Sequence, residues 1–427
     1  MGRAGTVHCR HGGLAARAAA ARAAEDKGQS MLLVSEPTLG WEEKAALAEV
    51  IDSGWITMGD RVNAFERAFA EAHGADDAVS VSSCTAGLHL ILHALGIGPG
   101  DEVLVPALTF VATANCVLYV GAKPVFVDIA STDTPLMCLE DAAAKCTSRT
   151  KAIILVHFAG YLIDPKPWQA FATERGLLIV EDAAHATVLP GVGTLGVAAA
   201  FSFYGNKNMT TAEGGAVLAG DEKLRDRIRR ARGHGLTSGT FQRRSGKNPI
   251  YDVTMLGFNY RMDELRAAIG LVQLGHVQRW TAKRKDLAQR YRRSIATRCP
   301  IVTVPFDAER ASVHHIMPVL LPRLAERQNV IDRLREAGIQ TTIHYPPTHC
   351  LSFYRDLYPD VSLPKTEDFA ARELTLPLHP RMEAADVETV TRCLAEALEA
   401  EPGFAGAASF QSLHAASPSN FSVGVSS

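Results

Sequence analysis

At 427 residues the chain is long enough to bury a large core and to form more than one domain. Its 44 basic and 46 acidic residues leave a net charge of −2, which offers neither nucleic acid nor a membrane a surface of one sign. No apolar run approaches the ~20 residues that span a bilayer. The eight cysteines are scattered without a C-x-x-C pair, a pattern of reduced thiols in the cytoplasm rather than a disulfide framework or zinc site.

Residues 1–30 are rich in Ala, Arg and Gly, and no acid precedes Glu25. They read as a disordered extension, with a transit peptide as the alternative and Met31 as a candidate start of translation. Residues 31–278 are expected to hold an N-terminal segment and a large domain. Trp41–Ile51 has helical spacing, and Ser53-Gly54 ends it. Thr57 follows in a loop that, by itself, reads as a tight turn anchored by Trp55. From Phe65 to Val217 short apolar runs alternate with amphipathic helices. The runs Val79–Val81, Glu102–Val105, Pro124–Val127, Ala152–Val156, Leu177–Val180, Ala200–Phe203 and Gly215–Ala219 predict seven strands. Alternation at this spacing means βαβ units, hence an α/β fold with a mostly parallel sheet flanked by helices.

Three places in this domain carry chemistry. Ser83, Cys84 and Thr85 stand between a strand and a helix. A helix start offers free N–H groups and the positive end of the macrodipole, which bind phosphate; taken alone, the stretch is an N-cap. Glu181 and Asp182 end the strand that begins at Leu177, at the edge where open α/β sheets place ligands. An acid there either caps the next helix or pairs with a cationic ring nitrogen. His185 lies three residues on, and His157, after Ala152–Val156, stands behind the same edge. Lys207 follows Ala198–Phe203, which is too apolar for a surface loop. It precedes Gly214-Gly215, which permit close backbone approach or positive φ. A lysine so enclosed loses hydration, its pKa falls, and its amine becomes a nucleophile for a carbonyl cofactor. A nucleophilic lysine, an acid for a ring nitrogen and a phosphate cradle are what pyridoxal 5′-phosphate (PLP) requires.

Further on, Asp221–Leu236 reads as an exposed charged helix. The polar loop Thr237–Asn248 carries Arg243, Arg244 and Lys247, which suit a diphosphate. Gly257–Gly270 enters a long helix, with Asn259 as a turn or N-cap residue. From about Trp280 a charged linker helix leads to a small α+β domain over residues 279–400. Its expected strands are His315–Leu321 and Thr341–His344, and its expected helices Ala325–Ala337, Thr366–Glu373 and Ala385–Leu398. Residues 401–427 are rich in Ala, Ser and Gly and read as a disordered tail.

Several stretches follow one another along the chain: Ser53-Gly-Trp-Ile-Thr-Met-Gly59, Ser82-Ser-Cys-Thr-Ala86, Gly98-Pro-Gly-Asp-Glu-Val103, Pro106–Ala114, Gly121–Asp128, Glu181-Asp-Ala-Ala-His185, Phe201–Gly215, Gly257-Phe-Asn-Tyr-Arg-Met262 and His344-Tyr-Pro-Pro347. With them the chain resembles, from about Pro37 to about Leu398, the PLP-dependent sugar aminotransferases of the DegT/DnrJ/StrS family, of aspartate-aminotransferase fold type I. The resemblance implies a seven-stranded large domain and a smaller C-terminal domain. It implies that Lys207 binds PLP and shuttles a proton, that Asp182 holds the ring nitrogen, and that His185, or its hydrogen bond, tunes the ring hydroxyl. Phe110, a core residue on pattern alone, would stack on the ring. Ser83, Cys84, Thr85, Ser202 and Asn206 would contact the cofactor. Asn259 would cross to the phosphate held by the partner subunit, which makes a homodimer with shared active sites. Thr57 would lie at the substrate mouth, and His344 on the substrate side. Glutamate is the implied amino donor and a nucleotide-linked keto-sugar the implied acceptor. A keto-cyclitol is the alternative acceptor and would not need the basic loop. A PLP-binding sensor without turnover would need a DNA-binding module, for which residues 1–30 are too short and too biased.

Overall fold

The structure, a computed structural model, describes residues 31–237 and 250–404. The helices α1 (Trp41–Asp52) and α2 (Asp60–Ala72) come first. The start of α2 is satisfied from far along the chain: the Glu264 carboxylate accepts the N–H groups of Gly59, Arg61 and Val62. There follow β1 (Ala78–Val81), α3 (Cys84–Leu95), β2 (Glu102–Pro106), α4 (Ala112–Tyr119), β3 (Lys123–Val127) and α5 (Leu139–Lys145). Next are β4 (Thr150–Val156), α6 (Pro165–Arg175), β5 (Leu178–Asp182), β6 (Ala198–Ser202), β7 (Gly215–Ala219) and α7 (Glu222–Arg232).

The seven strands form one sheet in the order β1-β7-β6-β5-β4-β2-β3. β7 runs antiparallel to β1 and β6, and the other pairs are parallel. This is the mostly parallel α/β sheet that the sequence pattern predicts. Strands β1, β2, β6 and β7 are buried at every residue, because helices cover both faces of such a sheet. The topology brings the carboxyl ends of β1, β2, β4, β5 and β6 to one edge. β7 starts at that edge, where Gly215 pairs with both Val81 and Ser202.

A single 35-residue helix, α8 (Glu264–Arg298), leaves this domain, and the boundary expected at 278/279 falls inside it. Beyond it lie β8 (Met317–Leu320), α9 (Arg327–Glu336), α10 (Ser352–Leu357), α11 (Pro364–Arg372), β9 (Glu373–Leu376) and α12 (Ala384–Glu399). β8 and β9 pair antiparallel in a two-stranded sheet. Among the described residues no helix is long and apolar enough to cross a membrane.

Three expectations are corrected here. Thr341–His344 is not a strand; only Thr342 bridges, to Thr375, before the chain turns through Tyr345-Pro346-Pro347. The partner of β8 is β9, although the pattern places Glu373 at a helix end. A short run buried at every position does not distinguish helix from strand by periodicity. The charged helices are also less solvated than their composition implies. Arg225 and Arg232 of α7 are buried, and Arg232 binds the Glu66 carboxylate and the Ser80 carbonyl. Arg284 of α8 is buried and donates to the carbonyls of His315 and Leu378; burial pushes its guanidinium down to about 10.

Arg232→Met leaves the buried Glu66 carboxylate without its cation. Such a loss costs about 3 kcal/mol, seen as a lower urea midpoint with an unchanged slope.

Candidate active site

The loop from β6 to β7 carries Lys207, and tertiary bonds hold it at both ends. Phe203 donates its N–H to the Gly214 carbonyl at 2.9 Å, and the Phe203 carbonyl accepts from Thr211 N–H at 2.9 Å. Asn208 donates from Nδ2 to the Val313 carbonyl and bonds His315 Nδ1 through Oδ1, both at 3.0 Å. Met209 is fully buried, and Thr210 N–H reaches Gln273 Oε1 of α8. A side chain on such a loop has little freedom to escape to water. Lys207 retains partial exposure, yet burial pushes its ammonium from the usual 10.5 down to about 8, against the attraction of Cys84 and Asp182.

Asp182 ends β5 and is buried beside it. Its Oδ2 accepts from Thr113 Oγ1 at 2.7 Å, and its Oδ1 accepts the Ala184 N–H at 3.1 Å, with Cys84 Sγ 3.8 Å away. Thr113 in turn bonds Thr109 Oγ1 at 2.7 Å. Glu181, the neighbouring acid, points elsewhere. It bonds His157 Nε2 at 2.9 Å and accepts N–H groups from Gly193, Leu195 and Gly196. His157 therefore supports the loop after β5, and its own N–H reaches the Asp182 carbonyl at 3.2 Å.

His185 is buried, and burial, followed by Lys207 and His344, pushes it well below the usual imidazole range. Its Nδ1 accepts the Ala159 N–H at 3.2 Å, so its proton sits on Nε2 and is donated to the Tyr345 hydroxyl at 2.9 Å. The hydroxyl proton of Tyr345 is then left to donate elsewhere. Both ring nitrogens of His185 are thus engaged, and any influence on a bound ring hydroxyl runs through Tyr345. Tyr345 also lies 6.0 Å, centroid to centroid, from the exposed ring of Phe110.

The cradle sits at the start of α3. Ser83 is the N-cap, and its Oγ accepts from Ala86 N–H at 3.1 Å, which leaves Cys84 and Thr85 as the first free donors of the helix. Gly215 makes close approach possible: a Cβ there would lie 2.6 Å from the Phe201 carbonyl oxygen and 2.7 Å from Cys84 N. At Gly214 a Cβ would meet Thr211 Oγ1 at 2.2 Å. Close approach, not positive φ, is the reason for the glycine pair. Ser202 is buried next to Gly215, and the Asn206 side-chain oxygen is buried without a partner.

The remaining expected residues divide. His344 comes near: its ring lies 6.3 Å from that of His185, and the Lys207 charge acts on it. Asn259 is exposed on a strand-like stretch whose next carbonyl, of Tyr260, accepts Ser82 N–H at 2.8 Å. Thr57 is exposed, and no hydrogen bond among the described residues ties it to the Lys207 loop. Arg243, Arg244 and Lys247 lie outside the described residues. Pattern reading missed Thr113 and Tyr345 as individuals, although both stand inside the quoted stretches. A threonine four residues after another at a strand end, and a tyrosine beside a histidine, were the available signals.

The model of the DegT/DnrJ/EryC1/StrS aminotransferase family matches residues 37–395. The chain belongs to this family. Among solved structures, the chain is 29% identical to Helicobacter pylori PseC, an aminotransferase involved in the biosynthesis of pseudoaminic acid. That match covers 87% of this chain and 100% of PseC, with a TM-score of 0.80. It is 30% identical to the sugar aminotransferase Spr1654 of Streptococcus pneumoniae in its PMP form, over 86% and 98% of the two chains, with a TM-score of 0.80. It is 31% identical to DesI, solved in the presence of its TDP-sugar product, over 91% and 95%, with a TM-score of 0.78. The protein is a PLP-dependent aminotransferase of fold type I, related to enzymes of amino-sugar biosynthesis. The geometry fits that cofactor: a lysine amine with a lowered pKa, an acid fixed by two donors, and a helix start brought close by a glycine.

Gly215→Ala forces β6 and the start of α3 apart. It is expected to cost about 1–3 kcal/mol by overpacking and to weaken PLP retention, measured by calorimetry and by cofactor titration. In cofactor-free protein the neutral, reactive amine of Lys207 is the major form above about pH 8. Its rate of reductive methylation, followed by mass spectrometry, should rise through that pH and then level off, while exposed lysines continue to gain reactivity.

Proposed function

We propose that Lys207 is the lysine that bonds PLP, and that the enzyme moves an amino group from glutamate to a nucleotide-linked keto-sugar. The observation that carries this is the half-buried Lys207 at the sheet edge, its ammonium destabilised by burial within electrostatic range of Asp182. When bound, PLP supplies an electron sink that stabilises negative charge at the carbon losing its proton. The residues of this chain do the rest. Asp182, its oxygens oriented by Thr113 and Ala184, holds the ring nitrogen in its protonated form. The N–H groups of Cys84 and Thr85, with Ser83, Ser202 and Asn206, receive the phosphate. Phe110 covers one ring face. The freed amine of Lys207 takes a proton from the donor carbon and returns it on the neighbouring side. His185 acts through the hydroxyl of Tyr345.

Asn259 supports a homodimer with shared sites. It is exposed next to Tyr260, whose carbonyl bonds Ser82 of the cradle, and the apolar side chains of Ile250, Val253 and Leu256 in the same stretch of chain are also exposed. An interface there would bring two cradles together. The sugar-nucleotide acceptor rests on the family and on the TDP-sugar product of DesI. His344 and Thr57 are its proposed contacts in the described chain, and Arg243, Arg244 and Lys247 complete the diphosphate clamp. The seven free cysteines of the described residues suit the reducing cytoplasm.

The absorption spectrum of the purified enzyme decides the central point. Glutamate is expected to convert the visible PLP band to that of the aminated cofactor, and Lys207→Ala to lose this conversion. Retained PLP that glutamate leaves unchanged would point to another donor or to a sensor, and a Lys207→Ala protein with full conversion would refute the assignment.

A further inference from the structure

Glu373 opens β9 with none of its surface exposed, and the reaction above gives its carboxylate no role. Its Oε2 accepts the backbone N–H of His344 at 2.8 Å, and its Oε1 lies 2.6 Å from the Thr375 hydroxyl. The same hydroxyl lies 2.9 Å from His344 Nδ1. His344 Nε2 makes no hydrogen bond among the described residues, and the ring feels the charge of Lys207. The row runs from a sealed carboxyl, through one hydroxyl, to an imidazole on which the Lys207 charge acts.

A threonine hydroxyl has one proton to give and lone pairs to accept. That single proton allows the row two arrangements. With Glu373 ionised, Thr375 donates to Oε1 and accepts from Nδ1–H, so Nε2 presents a lone pair. With Glu373 protonated on Oε1, the carboxyl donates to Thr375, Thr375 donates to Nδ1, and Nε2 carries the proton.

We propose that Glu373, Thr375 and His344 form a proton relay, in which the buried carboxyl stores the proton that His344 Nε2 gives to the oxygen leaving the keto substrate as water. The inference rests on Lys207 as the reacting lysine. Amination of a ketone expels its oxygen, and that oxygen needs protons to depart. In the forward step the carbon–oxygen bond breaks as the nitrogen lone pair forms C=N, and the Nε2–H bond breaks to give its proton to the departing hydroxyl, which leaves as water. The Thr375 proton moves to Nδ1, the Glu373 proton moves to Thr375, and Glu373 is left as a carboxylate. The reverse transfer reloads it. No electron changes hands, and the imidazole never carries two protons.

Burial pushes Glu373 up to about 8, so the store is filled at neutral pH. Burial and Lys207 push His344 down to about 4, so the ring passes a proton without resting as a cation. The other groups facing the row are Arg327, whose guanidinium donates to the Glu373 carbonyl at 3.1 Å, and Tyr345, with Lys207 and His185 across from His344. Glu373 and Thr375 are positioning residues in this scheme, and His344 is the group that meets substrate.

Infrared difference spectra of the cofactor-free protein, titrated from mildly acidic to alkaline pH, test the store directly. A protonated-carboxyl band that disappears with a midpoint of about 8 is expected in the wild type and should be missing in Glu373→Gln. Thr375→Val keeps the carboxyl but cuts the relay. It is expected to lower kcat on the order of a hundredfold and to reduce the solvent isotope effect, with PLP absorbance unchanged. Thr375→Ser, which keeps the hydroxyl, should recover most of the loss. A band that persists in Glu373→Gln, or a Thr375→Val enzyme with wild-type kcat, overturns the relay. If Thr375→Val fails to fold, the infrared comparison decides alone. That band does not depend on Lys207, so loss of the Lys207 assignment would leave it in place.

Discussion

The partial burial of the Lys207 amine is the constraint on which the rest of the site depends. Removing an ammonium from water costs several kcal/mol unless it sheds its proton or finds a partner. Lys207 does the first in part, and Asp182 and the Cys84 thiol resist it. The amine stays enclosed because its loop is tied on three sides: to the start of β7 through Phe203 and Gly214, to residues 313–315 through Asn208, and to α8 through Thr210. The same burial that weakens its charge makes it reactive.

The sheet explains why the other groups meet it. Parallel strands share a direction, so β2, β4, β5 and β6 deliver their following residues to one edge. β7 and β1 join by the two antiparallel pairings, and Gly215 lets the start of α3 almost touch the sheet. Each group at this edge is held by one backbone N–H and one side-chain hydroxyl: the Asp182 carboxylate by Ala184 and Thr113, and His185 by Ala159 and Tyr345.

The second sheet closes the site from the other side. Thr348 donates its N–H to the Ala107 carbonyl and its hydroxyl to the Thr109 carbonyl, so the turn carrying His344 and Tyr345 is seamed to the loop after β2. Arg284 reinforces the join, since one nitrogen binds carbonyls on either side, of His315 and Leu378. A buried cation with no carboxylate partner among the described residues is a costly device. Here it holds the strand leading to β8 against the chain after β9, and His315, whose carbonyl it binds, packs 4.3 Å from His185.

The order of elements was legible in the sequence because local signals carry it. Apolar runs spaced by amphipathic helices predict all seven strands of the large sheet. The residues Lys207, Asp182 and the Ser83–Thr85 turn were marked by what precedes and follows them. Two kinds of fact were not. Short segments buried on all sides, such as Glu373–Leu376, have no period to read, and charged helices do not announce which arginine faces inward, as Arg232 and Arg284 do. Nor does any local pattern state a direction of hydrogen bonding. That His185 gives its proton to Tyr345, and that Glu373 reaches His344 through Thr375, depends on contacts spanning up to 160 residues. The sequence by itself determined which chemistry was available at the sheet edge. Only the tertiary structure decided which proton sits on which atom, because that depends on partners the chain meets after it has folded.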